Sequence, residues 1–116
     1  MDNYESLKFN KQFRYLYARG ANFVSPSVVV YLKKNNQNKQ RLGITTAKKI
    51  AKAVGRNRAR RLIRVAYRSL LSELDANYDM VIVARTHCVY SNSAEVTADL
   101  KECFLKAGIL KNENCN

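Results

Sequence analysis

Nine lysines and arginines fall within KKIAKAVGRNRARRLIRVAYR, the 21 residues from Lys48 to Arg68, and no carboxylate accompanies them. Guanidinium groups at this density suit one kind of chemistry: they grip phosphate oxygens through paired, charge-assisted hydrogen bonds, where a lysine ammonium offers only a point charge. Arg58, Arg60, Arg61, Arg64 and Arg68 recur at helical spacing, opposite an apolar stripe of Ala59, Leu62, Ile63, Ala66, Tyr67, Leu70, Leu71 and Leu74. Like charges at i and i+4 repel by about 0.2–0.5 kcal/mol per pair, so such a face implies a polyanion outside the chain. Lys48, Lys49 and Lys52 extend the cationic surface ahead of the helix, with Arg56 at its mouth and Asn57 expected as its N-cap.

The distribution of charge over the whole chain agrees. The net charge of the 116 residues is +12, and between Ser6 and Ser72 there are 17 Lys and Arg and no Asp or Glu. That asymmetry is the footprint of a polyanion site, and nucleic acid is the commonest polyanion. A membrane partner is not expected, because the apolar side of the basic helix is needed to close a core. DNA is not expected either, since after Asn57 the ridge offers phosphate-seeking arginines and almost nothing to read base edges. The longest apolar run, Met80 to Ala84, is too short to span a bilayer, and the acidic MDNYES start is unlike a signal peptide.

Other chemistries lack their residues. Cys88, Cys103 and Cys115 show no C-x-x-C spacing, which argues against a disulfide framework or zinc site and for reduced thiols in a cytoplasm. The adjacent His87 and Cys88 lack a third partner and read as a loop after a strand. No catalytic residue and no metal ligand is expected in the chain.

The elements that must position the basic helix follow from periodicity. Asn10 caps a first helix carrying Phe13, Leu16 and Tyr17 on one side, with Gly20 as its stop. SVVVYLKK (27–34) and RLGITT (41–46) alternate as strands and, across the polar NNQNKQ turn, form an expected antiparallel pair; ANFV adds a short edge strand. The basic helix is expected from Asn57, with Gly55 outside it. YDMVIVAR (78–85) is a strand covered on both faces, and a last helix runs from Ser93 to Ala107, closed by Gly108. The fold class is α+β: a single domain over 1–116, a two-layer α/β sandwich of order α-β-β-β-α-β-α around a small mixed sheet, with a loose tail from 108.

The basic segment resembles the signature of the protein subunit of bacterial ribonuclease P, whose Arg-Asn-Arg core stands here as Arg56, Asn57 and Arg58, followed by Arg60, Arg61 and Arg64. LGITTAKKI resembles that family's strand and loop and FNKQFRYLYARG its first helix, so the likeness spans roughly residues 7–107. The resemblance implies a fold like the second domain of ribosomal protein S5. It also implies a partnership with a catalytic RNA subunit that removes the 5′ leader of precursor tRNA using Mg2+ held mainly by the RNA. Lys48, Lys49, Lys52, Arg56, Asn57, Arg58, Arg60, Arg61, Arg64 and Arg68 would then face the RNA subunit. Phe13, Tyr17 and Tyr31 would stack on leader bases, with Lys11, Arg14, Lys33 and Lys34 holding its phosphates. The competing reading is a small structural protein on ribosomal RNA, which shares the charge but needs no stacking cleft.

Overall fold

The structure is a computed structural model that describes residues 4–111. In chain order the elements are β1 (Tyr4–Ser6), α1 (Asn10–Arg19), β2 (Ala21–Val24), β3 (Val28–Lys34), β4 (Gln40–Thr45), a 3-10 turn (Lys48–Ile50), α2 (Ala53–Leu70), a second 3-10 turn (Leu71–Glu73), β5 (Tyr78–Ala84), α3 (Thr86–Val89) and α4 (Ser93–Ala107). The five strands form one mixed sheet in the order β1-β4-β5-β3-β2.

The α+β class stands, but the strand pairing differs from expectation. β3 and β4 are not hydrogen-bonded partners: β5 lies between them, antiparallel to β3 and parallel to β4. The physical reason is β5 itself. Met80, Val81 and Ile82 are wholly buried, two towards one face and one towards the other, and a strand apolar on both sides belongs at the centre of a sheet. The NNQNKQ segment therefore steps across β5 rather than turning a hairpin, and it is pinned there by Asn35, whose N–H donates to Asn77 O at 3.0 Å and whose Nδ2 donates to Asp79 Oδ1 at 2.7 Å.

Alternation along the strands sorts the sheet into two faces. Val28, Val30, Leu32, Leu42, Met80 and Ile82 pack against Leu62, Ile63, Ala66 and Tyr67 of α2 and Val96, Leu100 and Phe104 of α4 in the main core. Val81 of the other face packs against Leu7 and Leu16, flanked by Phe13, Tyr31 and Val83. α1 thus covers only part of that second face. β1, too short to announce itself by alternation, is an addition to the expected order; Tyr4 fixes it by meeting Tyr67 edge-on, ring centroids 5.0 Å apart.

Three boundaries are corrected. α1 begins with Phe9, not Asn10, in the cap position, and the Gln12 side chain accepts from the N–H groups of Lys8 and Phe9 at 3.0 Å each. α2 begins at Ala53, with Lys52 as cap, so Gly55, Arg56 and Asn57 are helical. Gly55 is tolerated inside because space is short: a Cβ there would lie 2.8 Å from Ala51 Cβ and 3.2 Å from Val89 Cγ1. Residues 109–111 are not loose: Ile109 is buried, Leu110 bridges Leu74, and Lys111 N–H donates to Glu73 O at 2.7 Å. The remainder of the expected tail, 112–116 with Cys115, lies outside the described residues. α4 runs as expected, capped by Asn92, which accepts from Glu95 N–H, and ended by Gly108 in the left-handed region at φ 70°.

If Gly55 marks a close helix contact rather than a helix end, Gly55→Val overpacks the seam between α2 and α3. Thermal unfolding should then register a loss of about 1–3 kcal/mol, whereas an unchanged melting temperature would place residue 55 in open space.

Candidate nucleic-acid interface

The arginines of α2 do not act alike. Asn57, Arg61, Arg64 and Arg68 follow one another at i, i+4, i+7 and i+11, all exposed, forming a track about 16 Å long on the side away from the core. Arg61 and Arg64 make no hydrogen bond or ion pair among the described residues. Arg56, Arg58 and Arg60 turn their guanidinium groups to the protein. Arg56 Nη1 donates to Ala51 O at 2.8 Å, and Arg60 donates to Thr46 Oγ1 at 2.7 Å and to Asn57 Oδ1. Arg58 donates to two backbone carbonyls, Val89 O at 3.3 Å and Ser91 O at 2.7 Å. Asn57 is accordingly a partner of Arg60 and not a helix cap. Lys48 and Lys49 are exposed on the 3-10 turn, and Lys52 is exposed where α2 begins.

On the opposite face of the sheet, strand register sets out three rows across β4, β5 and β3: Thr45–Val83–Val29, Gly43–Val81–Tyr31 and Arg41–Asp79–Lys33. α1 lies over the middle row. Phe13 sits on Gly43, where a Cβ would come within 2.5 Å of the ring, so only glycine leaves this seat open. At the far end of the row Tyr17 meets Tyr31 edge-on, with centroids 4.9 Å apart. Asn10, Phe13, Arg14, Tyr17 and Thr45 line an open cavity of about 340 Å3 beside α1. Phe13 is half-buried and Tyr17 is 42% exposed, so the rings both anchor the helix and present surface.

The structure thus gathers Phe13, Arg14 and Tyr17 around one cleft, with Tyr31 touching it through Tyr17. It does not gather Lys11, Lys33 or Lys34 there. Lys11 is exposed on α1 away from the cavity lining. Lys33 lies in the row on the other flank of α1, and Lys34 alternates to the α2 face. In the Lys33 row, Asp79 is engaged by Arg41, whose Nε and Nη2 donate to its two oxygens at 2.7 and 2.6 Å; that pairing raises the Arg41 pKa further above its ordinary value.

A second, smaller cavity, about 200 Å3, joins the two surfaces at the sheet edge and is lined by Tyr4, Ser6, Leu7, Phe13, Leu42, Gly43, Ile44, Arg60 and Arg64. It exists because β1 ends at Ser6, leaving β4 beyond Leu42 without a neighbour on that side. Sequence reasoning missed this edge together with β1. It also passed over Gly43 and Thr45, although a glycine amid an alternating strand is itself a sign of close approach.

Among the described residues His87 and Cys88 are adjacent but do not form a catalytic pair. Cys88 is buried, and burial, with Asp99 adding to it, pushes its thiol up to about 11, a poor nucleophile beside an exposed His87. The two lie on the one-turn α3 rather than in a loop. Among the described residues no three His, Cys, Asp or Glu groups converge.

A cationic track on one side and an aromatic cleft on the other define a nucleic-acid-binding protein. Comparison with known proteins sharpens this. The family model for ribonuclease P matches residues 1–108. The ribonuclease P protein component of Clostridium botulinum strain Loch Maree is 36% identical over 104 residues, covering 89% of this chain and 94% of that one. That of Clostridium kluyveri is 36% identical over 113 residues, covering 96% and 100%. The solved ribonuclease P protein of Staphylococcus aureus superposes with a TM-score of 0.80 at 26% identity, covering 91% of this chain and 97% of the other. The chain belongs to the bacterial ribonuclease P protein family, whose members bind RNA and serve the maturation of tRNA 5′ ends. The ribosomal alternative is not favoured.

Proposed function

We propose that the exposed track of α2, with Lys48, Lys49 and Lys52 before it, docks on the catalytic RNA subunit, while the cleft of Phe13, Arg14 and Tyr17 receives the single-stranded 5′ leader of precursor tRNA. The chain contributes no catalytic residue: it belongs to an endonuclease, at work in the cytoplasm, whose cleavage is performed by RNA. Mg2+, held mainly by the RNA, would supply the metal-ion chemistry of that cleavage. What carries this reading is the separation of the two surfaces. α2 and α1 lie on opposite faces of one sheet, so a folded RNA and a flexible strand can be held at once, with the sheet edge between them.

The division of labour among the arginines refines it. Arg61, Arg64 and Arg68 meet phosphate. Arg60 stands at the mouth of the edge cavity, held by Thr46 and Asn57, while Arg56 is tied to the loop before the helix.

The test uses the catalytic RNA at a magnesium concentration too low for it to act alone. Added protein is expected to restore removal of the leader from precursor tRNA at the mature 5′ end. An RNA whose rate does not respond to the protein would overturn the reading.

A further inference from the structure

The short segment joining β5 to α4 carries an aromatic residue that the cleft and the track leave unused. Along it, relative exposures are 0% for Cys88, 9% for Val89, 78% for Tyr90 and 2% for Ser91. One ring protrudes between sealed neighbours, with Arg85, Thr86, His87 and Asn92 exposed further out. Its backbone is also fixed: Tyr90 N–H donates to His87 O at 3.1 Å, Ser91 N–H donates to Cys88 O at 3.2 Å, and Ser91 Oγ donates to His87 O at 3.2 Å. Arg58 then clamps the carbonyls on either side of the ring, those of Val89 and Ser91.

Single exposed aromatics are ordinary on protein surfaces, but this one is placed and surrounded in a particular way. Val89 packs at the Gly55 seam, 3.2 Å from where a Cβ there would stand, so α3 sits on the first turns of α2, and the carbonyls Arg58 holds bring Tyr90 to the Arg58 flank of that helix. Arg58 and Arg61 are i,i+3 neighbours on that flank, and Lys52 is exposed at the start of the helix. A rigidly mounted ring next to phosphate-seeking side chains matches the way proteins hold unpaired bases: the π-face accepts any base, and neighbouring cations take the backbone.

We propose that Tyr90 is a stacking platform for an unpaired base of the RNA subunit, and that Arg58 is a positioning residue that holds the platform out rather than a phosphate ligand. This rests on the reading that α2 docks on that RNA. It assigns Arg58 a role different from that of Arg61 and Arg64, though all three lie on one helix.

The chain has no tryptophan, so Tyr90→Trp in the full-length protein gives emission from one known position. Titration with the catalytic RNA subunit is expected to quench that emission strongly as the complex forms. Adding Arg58→Gln should leave the complex able to form but reduce the quench, because the ring is no longer held. Tyr90→Ala should weaken binding by about 5- to 100-fold without altering its dependence on salt, since no charge is lost; Tyr90→Phe should bind as the parent does. A complex of parent affinity in which the tryptophan emission is unchanged would overturn the proposal while leaving the docking of α2 intact. If the parent protein itself failed to bind the RNA subunit, the docking reading would fall and the platform with it.

Discussion

Exchanging Arg60, Arg61 and Arg64 together for glutamate should abolish assembly with the RNA subunit while leaving the protein folded. None of the three side chains is buried, Arg61 and Arg64 have no partner among the described residues, and Arg60 touches only Thr46 and Asn57 at the surface. The stability cost is therefore small, and circular dichroism should show an unchanged helical signal. The binding cost is large because each reversal replaces a phosphate attraction by a repulsion. For the parent protein, with on the order of five phosphate contacts, a fourfold rise in salt should weaken binding by about a hundredfold or more. The triple variant should lose both the affinity and most of the salt slope. Survival of the assembly with its salt dependence intact would mean that the RNA docks elsewhere on the molecule.

The second large effect concerns the other face. Phe13→Ala combined with Tyr17→Ala removes both rings of the cleft, and at about 1–3 kcal/mol per stacked base the preference for precursor over mature tRNA should fall by about 30-fold or more. Affinity for the RNA subunit alone should stay near that of the parent, since α1 is separated from the α2 track by the sheet. Paired measurements on precursor and mature tRNA make the comparison internal, so a general loss of folded protein would lower both and leave their ratio unchanged. An unchanged ratio in a folded variant would remove the leader from this cleft.

Where the sequence spoke clearly, the signal was local. The buried stripe of α2 through Leu70, the span and stop of α4, and the doubly apolar β5 could be read because each depends on residues within a turn or two of one another. Strand partnership was not legible. Val28–Lys34 and Gln40–Thr45 alternate around a polar linker as a hairpin would, and nothing in either stretch records that a strand some forty residues later comes between them. Gly55 misled for a related reason: as a helix breaker it argues for a later start to α2, but its role is set by the close approach of Ala51 and of Val89, the second remote in the chain. The arginines were legible as a set and not as individuals. Spacing predicted one uniform ridge, whereas the identity of each partner, Ala51 for Arg56, Val89 and Ser91 for Arg58, Thr46 for Arg60, depends on loops whose positions only the assembled fold defines. The cleft was half legible. The i,i+4 rings of Phe13 and Tyr17 were visible, and the seat on Gly43 was not.

The central place of β5 also governs when this protein becomes itself during synthesis. Until residues 78–84 leave the ribosome, β1 with β4 and β2 with β3 are two separate strand pairs with no common floor, and joining them requires contacts distant in sequence, which form late. The arginine-rich stretch is translated before that join, so the nascent chain exposes its cationic segment ahead of the assembled aromatic cleft. The floor beneath α1 is complete only with β5, and a chain halted short of it would present its arginines without the seat that joins Gly43 to Tyr31.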